Sequence, residues 1–180
     1  MANSEIIFLS IMSIFGLSLL FISLYSIAQI QLVFRYLKSK NKQAPKFDDK
    51  KCPSVCIQLP IYNELYVSKR LLDAVIKIKY PAHLLEIQIL DDSTDQTQEV
   101  LKTQVALHQK AGINMSYVHR MDRKGYKAGA LKEGLALTSA DCIAIFDADF
   151  IPPEDFLLKT VPHFHDKKVG MVQTCWEHIN

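Results

Sequence analysis

Residues 142–150 read Cys142-Ile143-Ala144-Ile145-Phe146-Asp147-Ala148-Asp149-Phe150. The unbroken apolar run Cys142–Phe146 predicts a buried strand of the kind found in parallel sheets covered on both faces. The two acids follow where that strand ends. Pro152 and Pro153 stop further pairing and open a helix over Glu154–Phe164. Two carboxylates at i and i+2, at the carboxyl end of a core strand, suit a hard cation such as Mg²⁺ or Mn²⁺ that also holds a substrate phosphate. Taken alone, Asp-x-Asp reads first as a solvated pair in a strand-to-helix turn, because so short a pattern recurs by chance. The surrounding chain decides between the two.

Outward from this stretch, strands and helices alternate. Ser54–Leu59 predicts a first strand ended by Pro60. Leu65–Ile78 follows as a helix with Val67, Leu71, Val75 and Ile78 on one face, closed by Pro81. Leu85–Leu90 is a second strand. A helix over Asp95–Lys110 places Leu101, Val105 and His108 together, with Asp95 and Gln98 as a capping box and Gly112 as its C-terminal stop. Ile113–His119 is a third strand, Lys127–Thr138 a small-residue helix with Leu131, Leu135 and Thr138 in register, and Val169–Thr174 a fifth strand. Short connections between alternating elements imply an α/β fold, Rossmann-like, with a mainly parallel sheet and helices on both faces. Ligands of such sheets bind at the carboxyl ends of the strands.

Four polar clusters fall at that edge: Tyr62-Asn63-Glu64, Asp91-Asp92-Ser93, Arg120 with Arg123 and Lys124, and the pair Asp147 and Asp149. Their convergence turns the reading of the acid pair toward function. Asp92 can accept hydrogen bonds from a base or a ribose, and Tyr62 offers a flat ring for a base. Asp91 reads as structural, bonding loop N–H groups. The stretch Arg123-Lys124-Gly125-Tyr126-Lys127-Ala128-Gly129 is basic and opens a helix. There Lys127 can face a diphosphate, and Gly129 allows close approach of helix and ligand. Asp147 and Asp149 can hold the metal that neutralises the same diphosphate. The set describes a nucleoside-diphosphate site. Other nucleotide folds are disfavoured, since neither G-x-G-x-x-G nor G-x-x-x-x-G-K-[ST] occurs. His163 and His165, at i and i+2, diverge on a helix, and His108 reads as packed or solvated.

Charge is distributed unevenly along the 180 residues. All 21 Lys and Arg lie at or after Arg35, and Glu5 is the only charge before it. The apolar stretch from Ile6 to about Ile30 is long enough to cross a hydrocarbon core of roughly 30 Å. The start Met1-Ala2-Asn3-Ser4-Glu5 lacks the basic residues of a signal peptide. Residues 1–34 are therefore expected to form a transmembrane helix with a short external amino terminus, and 35–51 a basic cytoplasmic linker near anionic lipid. Residues 52–180 then form a cytoplasmic domain in an inner-membrane or Golgi-type setting. The net charge of +2 gives no support for nucleic-acid binding. Cys52, Cys56, Cys142 and Cys175 have neither zinc spacing nor the density of a disulfide framework, and read as free thiols.

At these residues the chain resembles the family 2 glycosyltransferases of GT-A fold, and within them the membrane-embedded cellulose synthase-like and glucomannan 4-β-mannosyltransferase proteins. The resemblance rests on Gln58–Glu64, Gln88–Asp95, Arg123–Gly134, Ile145–Phe150 and Val172-Gln173, in order across residues 54–180. It implies inverting transfer of a sugar from a nucleotide-diphosphate donor of GDP-mannose or UDP-glucose type to a polysaccharide or lipid-linked acceptor. It also implies Tyr62 and Asp92 near the base, Glu64 among the donor-binding residues, Lys127 at the diphosphate, Asp147 at donor and metal, and Asp149 on the metal. The family's later acidic motif with the general base, its Gln-x-x-Arg-Trp motif and its further membrane helices do not occur here. The domain is thus expected to be truncated at its carboxyl end, with the base assigned to no residue of this chain; Glu177 and His178 are poor substitutes. A membrane-anchored, non-catalytic remnant is the second expectation. A sugar-phosphate nucleotidyltransferase is a third, disfavoured because no Gly-rich signature follows the first strand.

Overall fold

The computed structural model describes residues 2–39, 45–48 and 51–175. Trp176, Glu177 and His178 lie outside these, as do residues 40–44 and 49–50 of the linker. The chain divides into two compact units, residues 1–43 and 44–180.

The first unit is helix α1, Ala2–Ser39. Within Ser4–Lys38 it carries an 18-residue window of mean hydropathy 2.5, and it is long and apolar enough to cross a membrane. The helix extends past the expected end at residue 34, because Arg35-Tyr36-Leu37-Lys38 contains no breaker. The serines within it are satisfied locally: the hydroxyls of Ser10, Ser13, Ser18, Ser23 and Ser26 donate to the carbonyls four residues back at 2.8–2.9 Å. No polar hydrogen of these side chains is then left facing hydrocarbon.

The second unit contains β1 (Val55–Ile61), α2 (Ser68–Val75), β2 (Leu85–Asp91), α3 (Thr97–Lys110), β3 (Met115–His119), α4 (Tyr126–Ala136), β4 (Cys142–Ile145) and α5 (Phe156–Thr160). Short 3₁₀ turns cover Ala82–Leu84 and Val161–His165. The sheet is parallel, in the order β3-β2-β1-β4. Val55, Ile57, Leu59 and Ile61 of β1 join Ile87 and Ile89 of β2 in one apolar cluster with α2, α3 and α5. The opposite face carries Gln58 and Gln88, also buried, beneath α4. Their amides are satisfied along the strands: Gln58 Nε2 donates to Gln88 Oε1, and Gln88 Nε2 to Glu86 Oε1, each at 3.0 Å, while the Thr138 hydroxyl donates to Glu86 Oε2 at 2.7 Å. A polar row of this kind under a helix is tolerated because every member has a partner.

The structure corrects five expectations. β4 is not a buried strand: it lies at the edge of the sheet, Cys142–Ala144 are only half-buried and Ile145 is exposed, and of the expected run Phe146 alone is buried. Val169–Thr174 is not a strand; these residues run beside β4, with Met171–Thr174 and β4 lining an apolar cavity of about 320 Å³, without forming a ladder. A strand persists only where its backbone groups find partners, and among the described residues none pair with the outer edge of β4. Pro60 does not end β1, which continues to Ile61. The β4 ladder stops at Gln58–Ile145, and the even positions of β1 face that side, so Pro60 sits where no N–H is needed. Leu135 is exposed, and α4 buries Ala130 and Gly134 instead, because a Cβ at Gly134 would lie 2.7 Å from both Gln58 Nε2 and Leu90 Cδ1. The capping box is not reciprocal: Asp95 Oδ1 accepts from the Thr97 N–H at 3.0 Å, while Gln98 Nε2 donates to the Ser93 carbonyl. The stop of α3 is as expected, with Gly112 at φ +85 and N–H bonds from Gly112 and Ile113 to the Gln109 and His108 carbonyls.

Candidate active site

The strand ends open onto a cleft of about 520 Å³ lined by Tyr62, Glu64, Asp92, Arg123, Lys127, Asp147 and Asp149, with Pro60, Ile61, Leu90, Ala130 and Ala148 as its apolar floor. All six residues singled out from the sequence therefore meet in one concavity. The ladder itself aligns them: Asp92 N–H bonds the Ile61 carbonyl at 2.9 Å and Arg120 N–H the Asp91 carbonyl at 3.0 Å, so three strands end in step.

Two loops are tied to each other. Asn63 adopts φ +53, and its side-chain oxygen accepts from the Thr94 N–H at 2.9 Å while its own N–H donates to Ser93 Oγ at 2.9 Å. Asp91 is buried and structural, as the sequence suggested: Oδ1 accepts from the Ser93 N–H at 2.9 Å and Oδ2 from the Tyr117 hydroxyl at 2.5 Å. That bond to a buried carboxylate, after burial itself, keeps the Tyr117 phenol protonated well above its ordinary range.

Asp92 is held by Arg120. Nε donates to Oδ1 at 2.7 Å and Nη2 to Oδ2 at 2.5 Å, with the side chains only 4% and 6% exposed. Arg120 also donates from Nη1 to the Lys124 carbonyl at 3.1 Å and from Nη2 to the Tyr126 carbonyl at 3.0 Å. One guanidinium thus fixes the acid and folds the loop 120–126, which contains two non-glycine residues at positive φ, Arg123 (+40) and Tyr126 (+52). Gly125 enters α4 at φ +73. A Cβ at Gly129 would lie 1.9 Å from the Lys124 carbonyl oxygen, so this glycine admits the loop's own backbone.

The loop delivers Lys127 to Asp147, and the two form an ion pair with side chains 52% and 46% exposed. Phe146 and Ala148 are buried on either side of Asp147, and the Phe150 N–H closes the turn onto the Asp147 carbonyl at 3.0 Å. Among the described residues no group of three or more His, Cys, Asp or Glu comes together as a metal cage. Asp147 and Asp149 both line the cleft, and as two carboxylates they could hold Mg²⁺ or Mn²⁺ completed by water and phosphate oxygens. Arg120 was placed in the right cluster by sequence, but its role as clamp was not readable, since Asp92 lies 28 positions away. The ties through Asn63, Ser93 and Thr94 were likewise missed.

A parallel α/β sheet with this cleft at its carboxyl edge has the GT-A type of architecture. The chain belongs to glycosyl transferase family 2, whose sequence profile matches residues 56–180. It is 40% identical to glucomannan 4-beta-mannosyltransferase 7 of Arabidopsis thaliana over a stretch covering 83% of this chain and 30% of that protein. It is 38% identical to glucomannan 4-beta-mannosyltransferase 1 of Cyamopsis tetragonoloba, covering 97% and 35%. Among solved structures, the mannosyltransferase PcManGT from Pyrobaculum calidifontis, in complex with GDP-Man and Mn²⁺, superposes with a TM-score of 0.67 at 27% identity, covering 78% of this chain and 41% of the other. The chain therefore spans about a third of the length of these curated relatives.

Proposed function

We propose that this chain supplies the donor- and metal-binding half of an inverting glycosyltransferase. It would use a nucleotide-diphosphate sugar, of GDP-mannose rather than UDP-glucose type, to extend a β-linked polysaccharide or a lipid-linked acceptor. The observation that carries the reading is the convergence of Tyr62, Glu64, Asp92, Lys127, Asp147 and Asp149 on one cleft at the carboxyl edge of a parallel sheet. The GDP-Man and Mn²⁺ bound by PcManGT support both donor and metal.

The residues divide the work. Tyr62 and Glu64 receive the nucleoside, and Asp92, oriented by Arg120, faces the ribose or base with its remaining lone pairs. Lys127 leaves Asp147 to meet the diphosphate, an inexpensive exchange because a half-exposed ion pair is worth only about 0–1 kcal/mol. Asp147 and Asp149 would hold Mg²⁺ or Mn²⁺, which supplies charge stabilisation to a departing diphosphate. Helix α1 anchors the chain in a membrane, with the positive flank after Arg35, and hence the domain, on the cytoplasmic side.

Calorimetric titration of the 180-residue chain in detergent with GDP-mannose and UDP-glucose, with and without Mn²⁺, tests this. Metal-dependent binding that Asp149→Asn abolishes is expected. A folded chain that binds neither sugar nucleotide would end the proposal.

A further inference from the structure

Tyr62 is the only aromatic residue lining the cleft among the described residues, and the face of its ring is covered. The guanidinium carbon of Arg123 lies 3.2 Å above the ring centroid, and 5.1 Å from the centroid of Tyr126. Arg123 Nε is buried without a hydrogen-bond partner. The residue reaches this position from a left-handed backbone, φ +40, which costs an arginine energy that an ordinary loop would not spend. Among the described residues Lys127 is the other cation lining the cleft, and it is engaged with Asp147, while Arg120, behind the lining, is engaged with Asp92.

A planar guanidinium stacks on a tyrosine as a flat base does. Both cannot use one face of Tyr62. An unsatisfied Nε in turn favours any acceptor brought within reach. We propose that Arg123 is a built-in competitor for the nucleobase position. A nucleoside diphosphate displaces it from Tyr62, and the released guanidinium then donates to the diphosphate beside Lys127. Arg123 thereby discriminates between ligands: one without phosphates pays for the displacement and recovers nothing, whereas a diphosphate recovers it. This rests on the donor reading given above.

The test compares guanosine with GDP, in Mn²⁺, by calorimetry on the 180-residue chain in detergent. Arg123→Ala should raise guanosine affinity roughly three- to sixfold, the factor by which a cation–π contact of ordinary strength masks a site. The ratio of GDP to guanosine affinity should fall at least as far. Arg123→Lys keeps the charge but not the plane; guanosine affinity should rise while the ratio stays within about twofold of wild type. Thermal unfolding reports whether each variant folds, and the lysine variant carries the test if the alanine variant does not. Unchanged or weakened guanosine binding in the folded variants overturns the proposal. Failure of the wild-type chain to bind GDP or UDP is a different result and would end the donor reading instead.

Discussion

Arg120 offers the sharpest test of how this site is built. Its side chain is 6% exposed and makes four bonds, two to the carboxylate of Asp92 and one each to the carbonyls of Lys124 and Tyr126. Arg120→Met removes all four and strands a buried carboxylate. The expected loss is about 3–5 kcal/mol, most of it the uncompensated charge, against a total stability of roughly 5–15 kcal/mol for a domain. Arg120→Lys keeps the charge, but three donors on a point ammonium cannot serve four acceptors in one plane, so about 1.5–3 kcal/mol is lost. The decisive variant is Asp92→Leu with Arg120→Met. With both charges gone, no ion is left buried, and the double variant should be more stable than Arg120→Met alone. Urea unfolding in mild detergent, followed by near-ultraviolet circular dichroism of the domain tyrosines, reads these differences. Losses that simply add in the double variant, or a loss below about 1 kcal/mol for Arg120→Met, would refute the clamp.

Three other outcomes follow from the same geometry. Lys127→Met should leave unfolding free energy within about 1 kcal/mol, because its ion pair is half exposed, while donor affinity falls about tenfold or more; calorimetry and urea unfolding on one sample separate the two. Gly129→Ala must move the Lys124 carbonyl, which a Cβ would approach to 1.9 Å, and should cost about 3 kcal/mol. Gly112→Ala has nothing within 4 Å and costs only the left-handed backbone, about 1–2 kcal/mol, a contrast thermal unfolding resolves. The Cys56 thiol is pushed up to about 12 by burial, with Glu86 adding to it. The folded state holds its proton more tightly than the unfolded chain, so the thiol's contribution is intact below pH ~8.5 and is lost as pH rises toward 12. Cys56→Ala should flatten that part of the stability profile, and native Cys175, which is exposed, should be alkylated long before Cys56.

The strands and the edge they share were legible because they depend on local chemistry: apolar-rich runs of four to seven residues, with acids at the ends of β2 and β4 and a proline near the end of β1. The placement of Asp147 and Asp149 followed directly. What was not legible depends on partners distant in sequence. Val169–Thr174 has the composition of a strand but acquires no ladder. Pro60 looks like a terminator until the shorter neighbour β4 is known to stop at Ile145. Leu135 is in register with Leu131, yet the buried row beneath α4 is built of glutamines and selects Ala130 and Gly134. Arg120 and Arg123 are alike in composition and three positions apart, and only the fold sends one to Asp92 and the other to Tyr62.

The charge pairs at the cleft differ in burial, and burial decides what each can do. The Asp92–Arg120 pair is desolvated, so breaking it leaves a charge that water cannot reach; it behaves as part of the framework. The Lys127–Asp147 pair is half in water, where its Coulomb attraction is mostly screened, and opening it costs little. The proposed diphosphate ligand and its metal would need both kinds. The fixed pair holds loop 120–126 in its left-handed turn, and that turn sets where Lys127 and Arg123 begin. The soft contacts, Lys127 on Asp147 and Arg123 on Tyr62, can then be exchanged without disturbing the frame. The opening acid pair is thus half engaged: Asp147 is already balanced by a lysine that can leave, and Asp149 stands exposed beside it.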